Sequence, residues 1–339
     1  MACPKPTRLL CHLQRRRFCT VNLFETPLHL AVRSAVECGD HRSIPSLLPD
    51  SSNPIPNPFS FLSLLPPTLA AATITDLLHS FASLRPRSLP YPAYVALLSL
   101  TLPNPIPDPP LSSVLFPPAL AVLQSTLRSG RPPLQETRLS LPLNWLALRR
   151  RCSVAAIISS LRLLGFRVPD LNTLNYLISS LCATGETEEA AALLRGMSAA
   201  GIDPDSASYC EVIEAIGGGA AAELLVEMVV ARGMAPRRGT VARVAATMGT
   251  EGEARRAAEL LRLLEREGCV VGFEAYEAVA EGCLERGDVV AAARVVAEMA
   301  QRGFAPYIGV RRRVVEGLAA IGQEEIAGDI RRRLAEIRS

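Results

Sequence analysis

A pair of apolar stripes recurs about every 35 residues through the C-terminal half of this chain. The first stripe is Leu174, Leu177, Ile178 and Leu181. It returns as Tyr209, Val212, Ile213 and Ile216, as Val241, Val244, Ala245 and Met248, and as Tyr276, Val279, Ala280 and Cys283. The second stripe follows in the same rhythm, from Ala190, Leu193, Leu194 and Met197 to Ala292, Val295, Val296 and Met299. Each set is spaced i, i+3, i+4, i+7, which is one face of an α-helix. A helix pair of this size cannot bury its apolar faces alone, so the pairs must stack on one another. The fold class that follows is all-α, a solenoid of antiparallel helix pairs.

The punctuation between stripes has physical reasons. Gly201, Gly233, Gly268 and Gly303 each follow the last turn of a second helix, where a left-handed backbone favours glycine. Pro204, Pro236 and Pro306 come three residues later and stop the helix. Gly185 and Gly287 reverse the chain within a pair. Small residues such as Ala190, Ala257 and Ala292 let paired helices approach closely. From Leu174 to Tyr209, Val241 and Tyr276 the steps are 35, 32 and 35 residues, so one repeat is three residues short. Gly217-Gly218-Gly219 stands where its helix end and turn should be, which predicts a soft point in the stack.

The best copy runs Leu171-Asn172-Thr173-Leu174-Asn175-Tyr176-Leu177-Ile178, turns at Gly185, continues through Glu188-Glu189-Ala190 to Met197, and closes on Gly201-Ile202-Asp203-Pro204-Asp205. This resembles the plant pentatricopeptide repeat of the P-type subfamily. The copy at 273–307 resembles it too, with Tyr276, Gly287-Asp288, Met299 and Gly303-Phe304-Ala305-Pro306. The resemblance implies a right-handed superhelical solenoid whose first helices line a concave groove, each repeat facing one base of single-stranded RNA. In the family the base is chosen by the fifth residue of a repeat and the last before the next. Carried onto this chain, those pairs are Asn175 with Asp205, Cys210 with Arg237, Ala242 with Gly272, and Glu277 with Tyr307. Asn175 with Asp205 is a combination the family uses for uracil; the other three depart from its pattern. The second position, aliphatic in the family, is Asn172, Ala207, Gly239 and Glu274.

Outward from the best copies, repeats are expected at about 135–170, 171–205, 206–237, 238–272, 273–307 and 308–339. Arg331-Arg332-Arg333 places charge on the last of them, as a terminal repeat requires for solubility. Residues 41–134 read as degenerate, proline-rich helical repeats. Ile74, Leu77, Leu78 and Phe81 form one helix, Tyr94, Leu97 and Leu98 pair with Leu120, Leu123 and Leu127, and a long loop falls near 103–112. From Met1 to Phe24 there is no acidic residue, while Lys5, Arg8, Arg15, Arg16 and Arg17 are basic. That is the composition of an organellar presequence. Residues 1–40 are therefore expected to be a transit peptide and disordered leader, addressed to the mitochondrion, with the chloroplast as the competing destination.

Chemistry for catalysis is sparse. His12, His29, His41 and His79 all precede the clear repeats, so the array has no histidine to serve as base or metal ligand. Some members of the resembled family carry a deaminase-like zinc signature, and neither its His-x-Glu nor its CxxC motif occurs here. The nine cysteines show no CxxC spacing; Cys182 and Cys283 read as reduced core thiols. No apolar run reaches the length of a membrane span. Net charge is +3, with Lys5 the single lysine and local clusters at Arg149-Arg150-Arg151, Arg237-Arg238 and Arg311-Arg312-Arg313. The expectation is a monomeric, non-catalytic binder of single-stranded organellar RNA, without cofactor, metal or membrane. The competing expectation is a protein scaffold in an organellar ribonucleoprotein or ribosome.

Overall fold

The alternation of apolar stripes and glycine-proline links predicts helices and nothing else. The computed structural model describes residues 26–49, 56–103, 112–163 and 170–337, and among these it holds seventeen α-helices and no strand. The basic stretch before residue 26, most of the expected loop near 103–112, and residues 164–169 near the end of the expected 135–170 repeat lie outside the described residues. The chain divides into two compact units, Met1–Ser180 and Leu181–Ser339. The division falls within a helix, whereas the sequence places the start of the regular array at residue 135.

The first unit contains α1 (Pro27–Cys38), the short α2 (Ile44–Leu47), α3 (Pro67–Ala82), α4 (Tyr91–Thr101), α5 (Ser112–Arg128), α6 (Gln135–Arg149), α7 (Val154–Leu163) and most of α8 (Leu171–Ala183). Helix α1 lies where the sequence suggests a disordered leader. It has a complete start signal: Thr26 accepts from the His29 amide, the His29 ring bonds back to Thr26, and Pro27 opens the helix. The other ring nitrogen of His29 bonds the Asn57 carbonyl at 2.7 Å, and Asn57 donates to the Ala96 carbonyl on α4 at 2.7 Å. Residues 27–38, inside the span expected as a leader, thus form a capped helix tied to α4 through Asn57. The core here is built from large side chains. Phe81 meets Tyr94 edge-on at 6.0 Å, and Phe116 meets the fully buried Trp145 at 5.9 Å. Burial pushes the Tyr94 hydroxyl up to about 12. Prolines sit inside α5 (Pro117, Pro118) and α6 (Pro142), where each removes a backbone donor.

The second unit is regular. It contains the end of α8, then α9 (Thr187–Ala199), α10 (Ser206–Ile216), α11 (Gly218–Val226) running into a π-turn at Glu227–Ala231, α12 (Arg238–Thr250), α13 (Ala254–Arg266), α14 (Phe273–Glu285), α15 (Val289–Gln301), α16 (Ile308–Ala320) and α17 (Glu324–Glu336). Most helices are 13 residues long, turns within a pair take three residues and links between pairs take six, which is the 35-residue period. The link glycines have φ between 64° and 80°. The residue after each reaches back to close the helix, as in Ile202 N–H to the Met197 carbonyl at 3.0 Å and Phe304 to Met299 at 2.9 Å. The stripes that define the period are buried: Leu174, Leu177, Ile178, Val279, Ala280, Val296 and Met299 are all at 0% exposure.

The short repeat keeps the six-residue link. Its first helix has 11 residues, and one residue, Gly217 (φ 69°), joins it to α11. The π-turn then lengthens the second helix, with the Met234 N–H donating to the Met228 carbonyl at 3.1 Å.

Two further features hold this unit. Helices α12 and α14 touch backbone to backbone. A Cβ on Gly282 would lie 2.7 Å from Thr250 N and 2.8 Å from the Gly249 carbonyl carbon, and one on Gly249 would lie 2.9 Å from the Val279 oxygen. Glycine at both positions is what permits the approach. On the second helices, Arg262 grips Glu298 with two bonds of 2.6 and 2.7 Å. Arg302 bonds Glu265 at 3.1 Å and Glu298 at 3.0 Å and lies 4.7 Å over the Tyr276 ring, whose hydroxyl donates to Glu265. Glu298 is 10% exposed, so this network is screened less than a surface pair. Burial and the adjacent Glu265 hold the Tyr276 hydroxyl well above its ordinary range.

Candidate nucleic-acid interface

First helices α8, α10, α12, α14 and α16 begin at residues 171, 206, 238, 273 and 308, so a residue's place in its helix is the same from repeat to repeat. The fifth positions differ in fate. Asn175 is half-buried on α8 and Ala242 half-buried on α12. Cys210 is at 0% exposure, with its sulfur 4.0 Å from the Ser206 hydroxyl. That hydroxyl in turn donates to the Ala235 carbonyl in the following link, which folds over this part of α10. As placed, Cys210 presents no atom to a ligand.

Glu277 on α14 is at 4% exposure, and its carboxylate accepts the Tyr307 amide at 2.6 Å. Burial raises its pKa; the Tyr307 N–H pulls the other way without prevailing, and Glu281 and Glu274 add to the rise. This contact joins the fifth residue of one repeat to the last residue before the next. Tyr307 is 65% exposed, its ring set edge-on against Phe273 at 5.6 Å.

The remaining last positions cap helices. Asp205 starts α10, accepting from the Ser208 amide and hydroxyl, both at 2.8 Å. Arg237 is exposed at the start of α12, and Gly272 starts α14 with the Glu274 carboxylate folded back over it. At the second positions, Asn172, Gly239 and Glu274 are exposed and Ala207 is half-buried.

The structure adds residues that the sequence reading missed. Glu214, at the ninth position of α10, accepts from Thr240 on α12 and lies 3.8 Å from Arg243. Helical spacing from Cys210 to Glu214 was the available signal, since i and i+4 share a face. With Glu211, Glu274, Glu277 and Glu281, this face of the second unit is acidic as well as basic. Burial, then a nearby carboxylate, pushes the Cys182 and Cys283 thiols up to about 11, away from the nucleophilic thiolate form. Among the described residues no group of His, Cys, Asp and Glu is placed to hold a metal, and no helix is long and apolar enough to cross a membrane.

No family model matches the chain. It is 39% identical over 329 residues to a pentatricopeptide repeat-containing protein of Arabidopsis thaliana, covering 95% of this chain and 93% of that one. Among solved structures it is similar to the maize pentatricopeptide repeat protein PPR10, with a TM-score of 0.42 and 16% identity over the whole of this chain. The same maize protein in complex with an 18-nucleotide psaJ RNA element gives a TM-score of 0.36 at 16% identity. The chain spans 48% and 49% of those two structures' chains.

Proposed function

Because the chain belongs to the pentatricopeptide repeat family, we propose that it binds single-stranded RNA along its first helices, without catalysis. Its targets are organellar transcripts, mitochondrial in preference to chloroplast ones, whose processing, stability or translation it affects by shielding or remodelling them. The protein acts as a monomer. One observation supports the reading most directly: Glu277 and Tyr307, fifth and last positions of one repeat, adjoin at 2.6 Å, so the two positions the family uses are neighbours in this chain. Helical repeats that read RNA do so with two or three side chains per base. Asn175 with Asp205 is the pair whose chemistry fits uracil.

The test is selection from a random single-stranded RNA pool by the full chain at about 50 and 200 mM salt, followed by sequencing of what is retained. The expected result is a short motif with uracil opposite Asn175, and loss of that preference in Asn175→Ala with less than about a tenfold fall in total affinity. Retention without a motif, vanishing at the higher salt, would mean phosphate attraction alone.

The buried Cys210, which presents no atom to a ligand, favours a second reading, a protein scaffold in an organellar ribonucleoprotein. It expects co-sedimentation with a large complex that survives RNase, and release by RNase would eliminate it.

A further inference from the structure

The 35-residue register equates the outer face of α16 and α17 with a face that is occupied one repeat earlier. On α14, Phe273, Tyr276 and Glu277 receive the link that follows α15. Phe304 lies 6.2 Å from the Tyr276 ring, Tyr307 sits edge-on to Phe273, and the Tyr307 amide bonds Glu277. That is a polypeptide segment seated by aromatic anchors. The equivalent residues on α16 are Ile308, Arg311 and Arg312, and on α17 Arg331 stands where Val296 stands on α15. Among the described residues nothing covers this face: a cavity of about 610 Å³ is lined by Ile308, Arg311, Arg312, Val315, Arg331 and Leu334, with Glu316 and Ala335.

Three observations bear on what the cavity takes. Its floor is apolar, and Ile308 is 68% exposed. Arg311 occupies the position of Tyr276, yet its Nε is buried without a hydrogen-bond partner among the described residues, a costly state for a cationic donor. Arg312 faces Glu316 only at 3.9 Å, with both side chains about 70% exposed. Three guanidiniums around an apolar floor do not suit a further repeat of the preceding kind, which buries Tyr276 and Val296 at these positions. They also do not suit a bare phosphate chain, which has no use for the floor.

We propose that this face docks an acidic polypeptide segment of a second protein. An aromatic or branched aliphatic anchor fills the space over Ile308, Val315 and Leu334, and flanking carboxylates meet Arg311, Arg312 and Arg331, whose planar donors fit them. The inference stands independently of RNA binding by the first helices.

The test is selection from a random twelve-residue peptide display library on the full chain, followed by titration of the selected peptide as a labelled synthetic probe. Expected are peptides with Asp or Glu flanking an aromatic or branched aliphatic residue. Arg311→Gln/Arg331→Gln should weaken the probe by about tenfold, and Arg312→Gln, a change at an exposed side chain that leaves the fold intact, by about threefold. Because α16 is itself a first helix, retention from the RNA pool is measured on the same variants and should fall by much less than the peptide probe does. No enriched peptide, peptides without acidic residues, or a probe indifferent to all three arginines would overturn the proposal. So would RNA retention that falls in step with the peptide, because the face would then be a nucleic-acid contact.

Discussion

The two units use the same helices and hold them by different means. The first packs bulk: Phe81 on Tyr94, Phe116 on Trp145, and an α4 whose residues from Pro92 to Leu98 are all buried. It tolerates three prolines within helices because tertiary burial outweighs the lost backbone bonds. The second packs closeness. Its cores are mainly Ala, Val, Leu and Met, with Tyr209 and Tyr276 as the two large exceptions, two of its first helices meet at Gly249 and Gly282, and Arg262, Arg302, Glu265 and Glu298 tie one repeat to the next. Large side chains resist exchange by volume; small ones fix a distance and with it a period. A unit held by bulk is free to vary its helix lengths, from 10 to 17 residues among α3 to α7, whereas a unit held by closeness keeps to 13 outside the short repeat.

The largest expected break in this contrast is Trp145→Ala. It opens a cavity in the first unit and should lower stability by about 3–5 kcal/mol in urea titrations. A loss below about 1.5 kcal/mol would show that bulk is not what holds that unit. Next comes Gly282→Ala. In an unobstructed helix the change stabilises by up to about 1 kcal/mol. Here the new methyl meets backbone that cannot swing aside, and a net loss of about 1–3 kcal/mol is expected. Gly239→Ala on α12, with nothing within 4 Å of its Cβ, is the control that should gain.

The smallest expected effect is a pair of opposed pH slopes. In the first unit, burial pushes the Asp170 pKa up, but bonds from Thr173 and Gln124 and the Arg128 charge outweigh it and hold the group below its ordinary value. Its stabilisation is present above about pH 4 and lost as pH falls through the lower folded value. Glu277 in the second unit is raised, so its native state gains on protonation and loses stability as pH rises from about 4 through the folded value. Urea midpoints against pH should show the wild-type advantage over Asp170→Asn growing from acid to neutral, and that over Glu277→Gln shrinking. Parallel slopes would contradict both assignments.

The second unit was legible in the sequence because most elements of its period are written locally: a stripe of four apolar residues, a three-residue turn in all but the short repeat, a glycine in each link and a proline in three of the four. The first unit was not. Pro117, Pro118 and Pro142 argue against helices that tertiary packing nonetheless forms, and the Thr26–His29 cap was hidden by extending the basic leader past Phe24. For the candidate site, helical spacing gave the direction of each fifth residue but not its depth. Cys210 is covered because the following link bonds Ser206 across it, and Glu277 turns to the Tyr307 amide. Both depend on where a neighbouring segment lies, which no single helix records.

Gly217 also fixes where such a gene can lose codons. The third copy is three codons shorter than its neighbours, yet every helix after it keeps its phase. The loss falls on the end of α10 and the turn at Gly217, and the π-turn at Glu227–Ala231 returns one residue to the second helix. The six-residue link is untouched. In-frame deletions are therefore survivable at the hairpin inside a repeat, and the six-residue link is where length must be inherited unchanged.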